Sequence, residues 1–277
     1  DAHSEYQMRG ALSDAELVSQ LADELILNPA TGTIVIADYG CAQGRVSSVL
    51  IHRVIEQLRA REPDVPVAVY HNDLLGNDWT ALFDRLRDPQ SYLHFPGGPI
   101  TPLAAATSFY NPVTPPGVVD LGMSFAATQW LSQPGPRGCG SALYFDQLDG
   151  PACVAMAAQA GRDWTLFLAR RAPELAPGAR LIVNMMGVPN GGIAAGHAVW
   201  QHLRAMCSDL AASFRRRHWR AAPSGKPVAS RDPRSGGRAL SRKRRCSGFC
   251  PGFHRLRSRL ERAQPPRGIL CQRSDHC

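Results

Sequence analysis

Hydrophobic positions along the first three quarters of the chain switch between helical spacing and short β-branched runs. Ser13-Asp-Ala-Glu16 has the form of a capping box, and Leu17, Leu21 and Leu25 follow at helical spacing. TGTIVIAD (31–38) is an apolar run bounded by turn residues, which predicts a buried strand. The amphipathic period over 46–62 predicts a helix, and VPVAVYHND (65–73) a second strand. GNDWTALFDRLRD (76–88) predicts a helix with Asp78 near its start. A third strand is expected over 117–125. A helix follows over 151–175, with Gly161 as a candidate break, and a fourth strand over 177–187. Strands alternating with long helices predict an α/β, Rossmann-like fold. The sheet is doubly wound, mainly parallel and covered on both faces, and ligand sits at the carboxyl ends of its strands.

After about Asp209 the apolar periodicity vanishes, and Arg, Pro, Ser, Gly and Cys dominate. Charge divides at the same place. Residues 1–212 carry −7, with 13 Arg, no Lys and 20 acids, whereas residues 213–277 carry +15, with 18 Lys and Arg against 3 acids. The net +8 of the 277 residues therefore describes neither part. The expected division is a folded domain over 1–212 and a basic, disordered tail over 213–277, which leaves the fold incomplete at its C-terminus. The tail's composition resembles that of a GC-rich coding frame read out of register. No run of about 20 apolar residues predicts a membrane span, and DAHSEYQMRG shows no secretory leader. Eight Cys over this length are too few for a disulfide scaffold, and the expected setting is the reducing cytoplasm.

The candidate chemistry begins at IVIADYGCAQG (34–44), where an apolar run ends in Asp38 and a turn bounded by Gly40 and Gly44 leads into a helix. Glycines there permit a tight turn and close backbone approach, and the helix start offers free N–H groups. This is a nucleotide-binding geometry without the dinucleotide GxGxxG spacing and without a P-loop lysine. An ordinary strand-to-helix turn reads equally well. Asp73, ending the next strand, is placed to accept from both hydroxyls of a ribose, or to cap a helix.

Taken together, the motifs resemble the SABATH family of S-adenosylmethionine-dependent methyltransferases, whose members methylate carboxylates of small acids and, in one branch, xanthine nitrogens. IADYGCAQG (36–44) resembles the family's IADLGCSSG, and VYHNDLLGNDWTALFDRL (69–86) its NDLPGNDFN segment. ATSFYNPVTPP (106–116), MSFAATQWLSQ (123–133), DWTLFLARRAPELAPGARLIVNMMG (163–187) and HSEYQ (3–7) match further family segments in order, from residue 3 to about 210. The resemblance implies a methyltransferase fold with S-adenosylmethionine as cofactor. It places Asp38, Gly40 and Ser4 on the methionine part, Asp73 on the ribose, and Leu74, Ser108 and Phe109 around the adenine. It gives the substrate carboxylate to Gln7, Gln129 and Trp130. A carboxylic acid is already an anion at neutral pH, so no general base and no metal is expected, only alignment and exclusion of water. Read from residue type alone, Trp130 is a core side chain, Met185 and Met186 are packing, and Cys41 is a small buried thiol.

The resemblance implies O-methylation of a small or fatty acid to its methyl ester, and commonly a homodimer. Several positions depart from it. Gln129 stands where many members have His, and Ala126 replaces a tyrosine, which widens the pocket toward an aliphatic acid. The tail replaces the family's cap helices and last strands, so cofactor binding is expected to be weak and turnover low. The alternative is a non-catalytic basic protein that binds nucleic acid or another anionic surface through residues 213–277, including RKRR (242–245). Cys246, Cys250, Cys271, Cys277, His254 and His276 are spaced poorly for a zinc finger or ribbon.

Overall fold

The computed structural model describes residues 5–26, 32–134, 147–148, 150–185, 197–220 and 269–272. Six strands form one sheet: β1 (Ile34–Tyr39), β2 (Val67–Asp73), β3 (Ile100–Ala106), β4 (Val119–Phe125), β5 (Leu175–Asn184) and β6 (Ile269–Gln272). Their order is β3-β2-β1-β4-β5-β6, and every neighbouring pair is parallel. The direction of winding reverses between β1 and β4, which is where doubly wound sheets take ligands. The expected α/β, Rossmann-like class is the one observed.

The sequence runs are continuous rather than alternating because both faces of the sheet are covered. Ile34 and Ile36 of β1 join Val67, Val69, Leu121 and Met123 on one face, beneath Leu50, Ile51, Val54 and Ile55 of α3 (Arg45–Arg61). Val35, Ala37 and Tyr39 point to the opposite face, against Trp164 and Phe167 of α5 (Gly150–Arg171). Burial of a Val, Leu, Ile or Phe side chain contributes about 1.5–3 kcal/mol, so these two layers supply most of the drive to fold.

Strands β1, β2, β4 and β5 fall within a few residues of their predicted positions. β3 has no counterpart in the sequence reading. It carries Pro102 and is half exposed, because it is the edge strand, where a missing N–H breaks no ladder. The helix over α5 is continuous through Gly161. The capping box does not form. Asp14, not Ser13, is the N-cap of α2 (Ala15–Asp23), and its side chain makes no cap bond. Its carboxylate is buried and accepts from Asn184 Nδ2 of β5, while the Ser13 hydroxyl donates to the Gly10 carbonyl. The predicted cap, Ser13, thus turns back onto the preceding turn, and the side chain of the actual N-cap, Asp14, is spent on a tertiary contact.

Two features bear on the expected boundary at 212. Helix α6 (His197–Arg220) runs across it, and Ile269–Gln272 lies beside Leu181–Asn184 as the sixth strand. The sequence of β6 carries no strand periodicity, and ladder pairing uses only main-chain groups. The remaining tail residues, including RKRR and the cysteines outside β6, lie outside the described residues.

Candidate active site

The carboxyl ends of β1, β2, β4 and β5 open onto a cavity of about 530 Å³, within the usual range for a small-molecule site. Asp38, Gly40, Asp73, Leu74, Ser108 and Phe109 line it, and Trp130 stands at its wall. Seven of the ten residues singled out in the sequence therefore meet in one place. Gln129 is not on the wall, and its buried Oε1 has no hydrogen-bond partner. Ser4 and the side chain of Gln7 lie outside the described residues.

The floor is the turn after β1. Gly40 has φ +85°, and an added Cβ would stand 2.3 Å from Ala127 Cβ. Ala42 holds a left-handed φ of 47°, which a non-glycine residue adopts at a cost. Asp73 supports it: one carboxylate oxygen accepts from Ala42 N at 2.8 Å and the other from Leu74 N at 2.7 Å. Asn77 Nδ2 donates to the Ala42 carbonyl at 2.7 Å. The loop after β2 thus clamps the turn after β1, and each Asp73 oxygen keeps lone-pair capacity toward the cavity. The alternative reading of Asp73 as a helix cap is not what forms. Asp78 takes that role, accepting from Ala81 N at the start of α4 (Trp79–Leu86).

The side wall is the segment after β3, and its shape is set from α5. Arg171 is fully buried. Its guanidinium donates to the carbonyls of Phe109 and Asn111 and to Glu174, 4.3 Å above the Tyr39 ring. Glu174 accepts from Val113 N and from the Tyr39 hydroxyl. Phe109 packs edge-on against Phe167. Sequence reasoning missed this pair, whose only local sign is the acid three residues after Arg171.

Trp130 is 73 % exposed, which overturns the residue-type expectation of a core tryptophan. Its carbonyl accepts from the Tyr110 hydroxyl, and burial and nearby Asp163 push that phenol up to about 12. Asp163 also takes Ser132 N and Oγ at 2.8 and 2.7 Å, which ties the following loop to α5. Leu74, on the cavity wall, is likewise exposed, so it and Trp130 present apolar surface at the mouth.

Beneath the floor, Asp38 and His71 are buried, with Oδ2 and Nδ1 3.6 Å apart. That is beyond hydrogen-bond length, and neither atom has another partner. His71 Nε2 meets the Tyr92 hydroxyl at 2.6 Å. Burial, then the charges of Asp38 and Asp73, push the Cys41 thiol well above its ordinary range, so Cys41 is a neutral buried thiol, as read from the sequence.

Residues 1–214 match the family described as SAM dependent carboxyl methyltransferase. Gibberellic acid methyltransferase 1 of Arabidopsis thaliana is 28% identical over 204 residues, covering 67% of this chain and 53% of that protein. Salicylate carboxymethyltransferase of Clarkia breweri is 27% identical over 201 residues, covering 67% and 54%. The chain thus spans about half the length of the curated relatives it matches. Among solved structures, loganic acid methyltransferase with SAH superposes with a TM-score of 0.62 at 20% identity, covering 75% of this chain and 63% of that one. That likeness concerns the fold. The family model covers well over half of the chain, and the chain belongs to the SAM-dependent carboxyl methyltransferases, the SABATH family.

Proposed function

We propose that the chain is an O-methyltransferase that takes S-adenosylmethionine in the cavity and methylates the carboxylate of a small or fatty acid. The observation that carries this reading is the pairing of Asp38 and Asp73 at the ends of adjacent strands, facing one cavity across Gly40. The donor chemistry fits the cofactor. Asp73 can still accept from vicinal hydroxyls, and Asp38 Oδ2 is a buried acceptor without a partner, suited to an ammonium. Ser108 and Phe109 offer a wall for the adenine, where a ring face favours stacking. When bound, the group supplies an activated methyl with its own leaving group.

The chain's own residues then have three tasks. Asp38 and Asp73 fix the cofactor's two ends. The indole N–H of Trp130, a donor only, suits an anion arriving at the mouth, with Gln7 as the companion donor; Gln129, off the wall, is left out of this role. The apolar surface of Leu74 and Trp130 at the mouth sheds water as the acid enters, which favours a transfer in which opposite charges neutralise. Orientation of this kind can lower a barrier by roughly 7–11 kcal/mol. No side chain is asked to move a proton.

The division into a cofactor domain over 1–212 and a basic tail belongs to this reading, as do a homodimer and a cytoplasmic setting. Among the described residues no helix is long and apolar enough to cross a membrane. Calorimetric titration with S-adenosylhomocysteine tests the proposal, with Asp73→Ala as control, followed by labelled-methyl transfer to a panel of aromatic and aliphatic acids. Saturable binding that the variant loses, with ester formed from one class of acid, supports it. Absence of binding by the folded chain refutes it.

A further inference from the structure

Asp38, Cys41 and His71 stand together at the base of the cavity, all buried, with one ligand atom of each within 4.8 Å of the other two. A carboxylate, a thiol and an imidazole form a donor set suited to zinc and other thiophilic divalent cations. Two further facts point to a ligand. Asp38 Oδ2 and His71 Nδ1 are buried polar atoms with no hydrogen-bond partner, and native structures rarely leave two such atoms facing each other. The third fact concerns the far side of the ring: the Tyr92 hydroxyl holds His71 Nε2, the outer contact that metal-bound histidines generally make. Asp38 and Cys41 also line the cavity, so a cation held there has an entry path and a fourth position open to it.

We propose that Asp38, Cys41 and His71 bind one thiophilic divalent cation, and that its occupancy excludes the methyl donor. Coordination forms a metal–sulfur bond and breaks the S–H bond of Cys41, whose proton leaves to solvent; nothing is oxidised or reduced. The cation engages Asp38, the same carboxylate that the proposed function gives to the cofactor. Binding of the two is then mutually exclusive. Such a site acts as a brake rather than as part of catalysis. The competition rests on the proposed function; the cation site itself does not.

Co2+ is the probe for the full chain, because thiolate coordination gives it a near-ultraviolet charge-transfer band. The expected result is a saturable band at one Co2+ per chain, displaced by Zn2+ and abolished by Cys41→Ser. Tyr92→Phe, which keeps the ring and removes only the hydroxyl, should weaken Co2+ by about tenfold or more. Circular dichroism confirms that each variant is folded. In the competition arm, Zn2+ should raise the apparent Kd for S-adenosylhomocysteine in the wild type and leave Cys41→Ser unaffected. No band in the folded wild type overturns the proposal. A band undiminished in Cys41→Ser overturns it too, by placing the cation on other cysteines of the chain. If S-adenosylhomocysteine does not bind even without metal, the proposed function fails while the Co2+ spectrum still decides the cation site.

Discussion

Arg171 donates a 2.7 Å hydrogen bond to the main-chain carbonyl of Phe109, 62 positions earlier in the chain. With its bonds to Asn111 and Glu174, this makes one buried guanidinium the support of an entire wall of the cavity. Arg171→Met should therefore cost about 3–5 kcal/mol, because Glu174 is left buried without its cation. Urea denaturation measures it. Adding Glu174→Gln to that variant should recover part of the loss, and Arg171→Lys should not, since an ammonium cannot reproduce the planar fork.

Gly40→Ala should destabilise by roughly 1–3 kcal/mol. The backbone is left-handed there, and the new methyl meets Ala127 Cβ, which cannot swing away. Gly76→Ala, in open space, should stay within about 0.5 kcal/mol of wild type. Thermal melts of the two variants make the comparison.

Asp73→Asn should cost roughly 1–2 kcal/mol, because one of the two backbone N–H groups that Asp73 receives loses its acceptor, and should bind S-adenosylhomocysteine at least about tenfold more weakly. The amide retains one acceptor for the turn at Ala42 but brings an NH2 where hydroxyls are expected to donate. Equal affinity of variant and wild type would remove Asp73 from the cofactor site.

Asp120 is buried in β4 and accepts from Val35 N, and burial raises its carboxyl to about 6. The folded chain holds this proton over a range in which the unfolded chain has released it. Stability from this group is full below about pH 4 and is lost as pH rises to about 6. Asp120→Asn keeps the acceptor and removes the charge. It should flatten that part of the pH profile and leave the variant more stable than wild type above pH 6, as read by denaturation midpoints from pH 4 to 8.

Trp130→Ala should change stability by no more than about 0.5 kcal/mol, since the side chain is mostly in solvent. Its effect should fall on KM for the acid. A large stability loss would show instead that the indole is structural.

The parts legible in the sequence were those with local causes. Two-faced burial produces the unbroken apolar run that opens β1, and the turn chemistry at Gly40 and Gly44 follows from backbone limits alone. β3 was hidden by Pro102, an obstacle only in a strand with neighbours on both sides. The capping box at Ser13 was locally sound, but the helix starts one residue later, at Asp14, whose carboxylate is held by a distant partner, Asn184. The Asp38–His71 face-off and the reach of Arg171 to Phe109 were illegible for the same reason. Each joins residues more than 30 positions apart, and no period encodes such a meeting.

The Arg171 network also sets the thermodynamics of whatever enters the cavity. The wall from Phe109 to Val113 is immobilised by folding, through contacts that no ligand makes or breaks. The loss of loop freedom that an unsupported segment would suffer on binding has already been met. Preorganisation of this kind lets a guest surrender little beyond its own freedom and that of a few side chains. Association with the cavity should accordingly proceed in a single kinetic phase, with no slow ordering step after encounter.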